Sequence, residues 1–177
     1  MMNKTTKESY RFSFKKVTAS EQPFVMDWIH KPHINEWLHG DGLNNTVEDL
    51  DDFVNKREAW ATHWLALDDE LPFAYLITSD IEPSDMHPKG AVTLDLFIGN
   101  LDYLGKGLAV QMIQEFILSQ FSDASEIIID PEQSNVRAVH VYEKAGFQIF
   151  DEFIAPWHPV PHYKMRFYVD NLKKEDD

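Results

Sequence analysis

The stretch Leu104-Gly105-Lys106-Gly107-Leu108-Ala109 carries the strongest fold signal in this sequence. It follows an apolar run at 91–98 and opens residues 108–121, where apolar side chains recur at helical spacing. The glycines let the backbone turn and approach a ligand closely, and the first N–H groups of the helix favour an anion. Lys106 adds a cation. The stretch matches neither a Walker loop nor the three-glycine dinucleotide fingerprint, and an ordinary glycine turn is the alternative.

A second segment, residues 135–147, reads Asn-Val-Arg-Ala-Val-His-Val-Tyr-Glu-Lys-Ala-Gly-Phe. Asn135 is suited to cap a helix, and Gly146 stands where a left-handed C-cap belongs. Tyr142 lies seven residues after Asn135, so the two side chains share a helix face. The plain alternative is a capping asparagine and a half-buried tyrosine.

The periodicity outside these segments predicts further strands and helices. Strands are expected over residues 10–15, 63–67, 73–81, 91–98, 126–130, 147–154 and 162–169. Two more helices are expected, one opened by a Thr18–Glu21 capping box and ended by Pro32, the other running from Thr46 to about residue 60 after a Gly-Asp-Gly loop at 40–42. The β-α-β unit over 91–130 requires a parallel crossover. The sequence therefore predicts one α/β (α+β) domain, residues 1–169, with a mixed, mostly antiparallel sheet and helices on both faces, then a polar tail, 170–177, that frays.

The net charge and the absence of cysteine exclude several classes of function. The 177 residues carry a formal charge of −14 and no cysteine. Such acidity disfavours nucleic acid and anionic membranes and suits a cationic ligand, and the lack of cysteine excludes disulfides and thiol nucleophiles. The eight histidines show no ligand spacing, so no metal is expected. Without a leader or a membrane-spanning run, a cytoplasmic monomer or homodimer is expected.

The two glycine-bearing motifs together resemble the GNAT superfamily of acyl-CoA-dependent N-acyltransferases, over nearly the whole chain. Leu104 departs from the Gln or Arg that usually opens the first motif. A narrower resemblance is to aminoglycoside 6′-N-acetyltransferases, where a Leu also stands at that position. It rests on these residues: Trp28, His33, Ile34, Trp37, Asp95, Leu104, Asp130, Pro131, Ser134 and Asn135.

This resemblance implies a GNAT-like sheet, acetyl-CoA as co-substrate, and antibiotic resistance through acetylation of an aminoglycoside 6′-amine. It implies that Asp95 is the base toward the amine and Tyr142 the acid toward the thiolate. It implies that acetyl-CoA is bound by Phe97, Ile98, Leu104, Gly105, Lys106, Gly107, Leu108, Ala109 and Asn135. It assigns Trp37, Asp95 and Asp130 to the acceptor.

Each assignment has a structural alternative. Under these alternatives Asp95 is the solvated residue of an alternating strand, Asp130 starts an Asp-Pro turn, and Trp37 is a core aromatic. For the function, the alternatives are an acyltransferase for a siderophore precursor, a polyamine or a protein amine, and a non-catalytic acyl-CoA-binding domain.

Overall fold

Seven strands form a single sheet in the computed structural model, which describes residues 10–175. The strands are β1 Phe12–Lys16, β2 Thr62–Asp68, β3 Leu71–Asp80, β4 Ala91–Ile98, β5 Glu126–Ile129, β6 Gln148–Ile154 and β7 Pro161–Tyr168. They lie in the order β1-β2-β3-β4-β5-β7-β6, and every neighbouring pair is antiparallel except β4–β5. The predicted fold class and the predicted parallel crossover are both confirmed.

Within the described part of the chain, six helices cover the two faces of this sheet. They are α1 Gln22–Ile29, α2 Pro32–Asn35, α3 Gly40–Val54, α4 Leu108–Gln120, α5 Val136–Ala145 and α6 Val169–Glu175, with a short 3₁₀ helix at Leu101–Tyr103. The first three helices bury Ile29 and Leu50 against one face, and α4 buries Met112 and Phe116 against the other. Within residues 10–175 there is no helix with the length and apolar character needed to cross a bilayer.

The helix ends follow their local sequence where a capping residue is present. The Thr18 N–H donates to Glu21 Oε1 at 3.0 Å, as the capping-box spacing predicts, and α1 begins at the residue after Glu21. Asn135 Oδ1 accepts from the Ala138 N–H at 3.3 Å at the start of α5. Gly146 ends that helix with a φ of 118°, the left-handed conformation that glycine adopts without strain.

Two predictions are corrected by tertiary packing. Helix α3 begins at Gly40 rather than at Thr46, so the predicted loop 40–42 is helical, and the helix ends at Val54 rather than near residue 60. Its apolar stripe of Leu43, Val47, Leu50 and Val54 packs on the core, and this burial outweighs the turn preference of Gly-Asp-Gly. Residues 169–175 form α6 instead of fraying, because Leu172 is buried in the core beside α4. Residues 176 and 177 lie outside the described part of the chain.

Candidate active site

The two parallel strands part in the middle of the sheet. Strands β4 and β5 pair from Ala91 with Glu126 to Thr93 with Ile128. Beyond Thr93, β4 continues to Ile98 bonded only to β3, and β5 soon reaches Pro131, which has no N–H to donate. The sheet therefore opens between the second half of β4 and the end of β5.

A cavity of about 610 Å³ occupies this opening. It is lined by residues from both faces of the sheet, including His33 and Trp37 near α2 and Ala109 and Tyr142 on α4 and α5. The opening therefore connects the two faces, so a ligand on one side can meet a ligand on the other. The structure brings these predicted site residues to the cavity wall: Trp37, Asp95, Phe97, Ile98, Leu104, Ala109, Asp130, Asn135 and Tyr142. Residues 105–107 form the turn beside it, and Leu108 begins α4.

Asp95 is the titratable group at the centre of the opening. Water reaches its carboxylate through the cavity, while protein atoms crowd its other sides. Within residues 10–175 the carboxylate has no hydrogen-bond or ion-pair partner that would offset its loss of hydration. The resulting desolvation, with the nearby charge of Asp130, raises the pKa of Asp95 to about 6. An unpaired carboxylate with a raised pKa is suited to accept a proton near neutral pH.

Asp130 is the second carboxylate of the opening. Its Oδ1 is buried and finds no hydrogen-bond partner in the described part of the chain. Burial raises the pKa of Asp130, opposed chiefly by the positive charge of Lys164. A cationic amine placed between Asp95 and Asp130 would offset the electrostatic cost of both carboxylates.

Tyr142 lines the same cavity from α5. Its ring is 8% exposed and packs near Phe147. Among the described residues nothing hydrogen-bonds to the hydroxyl. Burial and the charge of Asp95 raise the pKa of Tyr142, so the phenol stays protonated at neutral pH. Tyr142 is therefore a protonated phenol on the wall of the opening.

The turn before α4 has the properties of an anion cradle. Gly105 and Gly107 adopt left-handed φ values of 74° and 72°, and no side chain caps the helix that follows. The first N–H groups of α4 thus remain free to bind a ligand. The Lys106 ammonium is exposed and forms no ion pair within residues 10–175.

Side-chain contacts hold the 3₁₀ helix that leads into this turn. The Tyr103 hydroxyl donates to Asp68 Oδ2 at 2.8 Å, and the Tyr103 ring stacks on Phe73 with ring centroids 4.3 Å apart. Arg11 donates to the same Asp68 carboxylate at 2.9 Å. The 3₁₀ helix that precedes the turn is therefore tied to strands β2 and β3.

Sequence reasoning missed several residues of the cavity wall. His33 Nε2 lies 2.9 Å from the Ile98 carbonyl oxygen, which can only accept, so the ring donates from this nitrogen. His39, Glu132 and His158 come from three distant segments and meet at the wall. No local pattern could reveal them, because the separations of 93 and 26 residues have meaning only in the folded chain.

Comparison with known proteins identifies the family of this chain. A family described as an acetyltransferase (GNAT) domain matches residues 18–154. The crystal structure of an aminoglycoside N(6′)-acetyltransferase from Legionella pneumophila superposes with a TM-score of 0.92 and 65% identity, covering 94% of this chain and 97% of that one. An aminoglycoside N(6′)-acetyltransferase type 1 from Klebsiella pneumoniae is 28% identical over 144 residues, which are 75% of this chain and 71% of that protein.

A more distant structure has the same fold. Aminoglycoside acetyltransferase AAC(6′)-Ib, solved with coenzyme A and kanamycin, aligns with a TM-score of 0.76 at 24% identity, covering 94% of this chain and 99% of that one.

Proposed function

The chain belongs to the GNAT acetyltransferase family, and we propose that it acetylates the 6′-amine of an aminoglycoside by direct transfer in a ternary complex. Acetyl-CoA is the co-substrate of this family. The observation that carries the proposal is the unpaired Asp95 beside Asp130 in a cavity that connects both faces of the sheet. The relatives named aminoglycoside N(6′)-acetyltransferases support the choice of acceptor.

The acceptor half of the cavity suits a polycation. Asp95 and Asp130 supply two carboxylates, and Glu36 adds a third on the cavity wall. Trp37 is half-buried and lines the cavity, so its ring is available to stack on a sugar or to meet an ammonium. The formal charge of −14 adds a long-range attraction for cationic substrates.

The donor half is the turn and helix start at 104–109. Its free N–H groups and Lys106 would hold the phosphates of acetyl-CoA, and Asn135 would contribute its side-chain amide group. The freed half of β4, at Phe97 and Ile98, would bind the pantetheine arm through main-chain groups. When bound, acetyl-CoA supplies an activated thioester carbonyl and a thiolate leaving group.

In the proposed reaction Asp95 takes the proton that the substrate ammonium must lose before its nitrogen can attack. As the C–N bond forms and the C–S bond breaks, Tyr142 donates its proton to the departing sulfur. The second proton of the amine nitrogen returns to Tyr142, and Asp95 releases its proton to solvent. The net reaction yields an amide, a free thiol and one proton, without a covalent enzyme intermediate.

The direct test is to mix the purified chain with acetyl-CoA and kanamycin, and to measure thiol release and product mass. A gain of one acetyl group is expected. Paromomycin, which carries a hydroxyl in place of the 6′-amine, is the matched control for regiochemistry and should not be acetylated at that position. If kanamycin does not react although the same protein sample binds coenzyme A, the acceptor is instead a siderophore precursor, a polyamine or a protein amine.

A further inference from the structure

We propose that His39, Glu132 and His158 form a binding site for a divalent transition-metal ion, with Zn²⁺ as the best-suited ion, and that the bound ion competes with the cationic acceptor. The competition rests on the proposed function, while the binding of the metal does not. The three side chains lie on the wall of the cavity that also contains Asp95 and Asp130.

The ligand atoms already lie close together. One ligand atom from each of the three residues lies within 4.8 Å of the other two. His158 Nε2 and Glu132 Oε1 are 3.1 Å apart. Two ligands of a tetrahedral zinc ion are separated by roughly 3.4 Å, close to this distance, so small side-chain rotations are enough to bring the three ligand atoms to a common ion.

The main chain at each ligand is held by the fold. His39 immediately precedes α3, and the Leu43 N–H donates to its carbonyl oxygen at 3.2 Å. Glu132 follows β5 and forms an isolated bridge to His162 on β7. The carbonyl oxygen of His158 accepts from the Val160 N–H at 2.8 Å. The site is therefore assembled by tertiary structure, and each ligand needs only a side-chain rotation to reach a common ion.

The donor set fits a borderline transition metal. Two imidazoles and one carboxylate suit Zn²⁺, with a fourth position left for water, whereas Ca²⁺ and Mg²⁺ prefer an all-oxygen set. The three side chains are half-buried, so an ion can enter from the cavity and the ligands are partly shielded from water. The His39 and His158 rings meet edge to face with centroids 4.6 Å apart, so the two imidazoles are already neighbours.

A bound ion would change the charge of the acceptor half. The ligand set carries one negative charge with neutral imidazoles, and Zn²⁺ makes it positive. Asp95 and Asp130 line the same cavity, so an added positive charge there repels a polycationic acceptor. The ion should therefore raise the apparent KM for the amine and leave the KM for acetyl-CoA unchanged.

The binding test is a titration of the full chain with Zn²⁺ in competition with a chromogenic chelator. We expect saturable binding of one ion per chain, weakened about tenfold or more by His158→Gln and by Glu132→Gln. His140→Gln removes an exposed histidine of α5 outside the cluster and is the matched control. Equal Zn²⁺ affinity of the control and the two site variants would overturn the site, as would the absence of saturable binding.

Two further measurements use the unmodified chain, so neither depends on whether a variant folds. Co²⁺ added to the unmodified chain should give the visible absorption of a four- or five-coordinate ion, and an octahedral aqua spectrum would count against the site. Zn²⁺ inhibition should be competitive with the aminoglycoside. Inhibition competitive only with acetyl-CoA would overturn the proposed competition. If the aminoglycoside is not a substrate, the metal titration still decides the site by itself.

Discussion

The indole of Trp28 lies directly on the backbone of Gly99. A Cβ built on residue 99 would fall 2.1 Å from Trp28 Cδ2, far inside any allowed contact. Gly99 follows β4 immediately, and its N–H donates to the Phe73 carbonyl oxygen at 2.9 Å. The contact therefore seats α1 on the end of the strand whose freed half lines the cavity.

Replacing Gly99 by alanine should destabilise the protein. The added methyl group has to displace a buried indole, and overpacking of this kind costs about 1–3 kcal/mol in the free energy of unfolding. Thermal or denaturant unfolding measures the change. Gly42→Ala is the control, because the nearest atoms to its added Cβ are 3.8 Å away, and it should be neutral or stabilising within a helix. Equal stability of Gly99→Ala and the wild type would contradict the close contact between indole and backbone.

Asp95→Asn should abolish most turnover and at the same time raise the melting temperature. Loss of a general base lowers kcat by about 10²–10⁴-fold. The pKa of Asp95 rises from 3.8 to about 6 on folding, so the folded protein binds the proton more tightly than the unfolded chain. Stability therefore falls as the pH rises through this window, and the ionised carboxylate lowers stability at pH 7. Asparagine carries no charge, so the substitution removes the destabilisation that the desolvated, ionised carboxylate causes at pH 7.

Calorimetry at pH 7 and steady-state kinetics test the two effects together. Asp123→Asn, an exposed acid remote from the cavity wall, is the control and should change neither quantity. Full turnover by Asp95→Asn at saturating amine would rule out the assigned role of base.

The pH profile should report the coupling between Asp95 and Asp130. In the wild type, kcat/KM should fall as the pH drops below about 6, where Asp95 becomes protonated. Asp130→Asn removes a negative charge that raises the pKa of Asp95, so the acidic limb should move to lower pH. The shift should be partial, because burial is the larger cause. An unmoved acidic limb in Asp130→Asn would show that the two carboxylates do not interact.

Tyr142→Phe should lower kcat by about 10²-fold while leaving the KM values nearly unchanged. The hydroxyl has no hydrogen-bond partner within residues 10–175, so its removal should cost little stability. Steady-state kinetics and thermal unfolding, measured on the same variant, separate a catalytic role of the hydroxyl from a structural one. A large drop in melting temperature without a drop in kcat would assign the tyrosine to structure instead.

Lys106→Gln should raise the KM for acetyl-CoA roughly two- to fivefold, since an exposed charge contributes modestly to binding a phosphate. The effect should shrink as salt is added, because salt screens exposed charges. Lys89→Gln, another exposed lysine that does not line the cavity, serves for comparison. If both variants bind acetyl-CoA like the wild type, the main chain alone holds the phosphates.

Local sequence predicts much of the architecture because caps and periodicity act over a few residues. The span of β4, the glycine turn with its helix, and the ends of α5 at Asn135 and Gly146 all follow from neighbouring side chains. Helices α3 and α6 differ from the prediction because the packing of Leu43 against the core and the burial of Leu172 are long-range events that local propensity does not contain.

Spacing along the chain is enough to account for the element order, the parallel crossover and the glycine turn, since each depends on residues close in sequence. The separation of β4 and β5 after Thr93, which places Asp95 near Asp130 and opens one cavity to both faces, exists only in the folded chain. The same holds for the meeting of His39, Glu132 and His158. Such juxtapositions depend on how distant strands and loops pack in space, and the energy that selects them is the burial of the whole core.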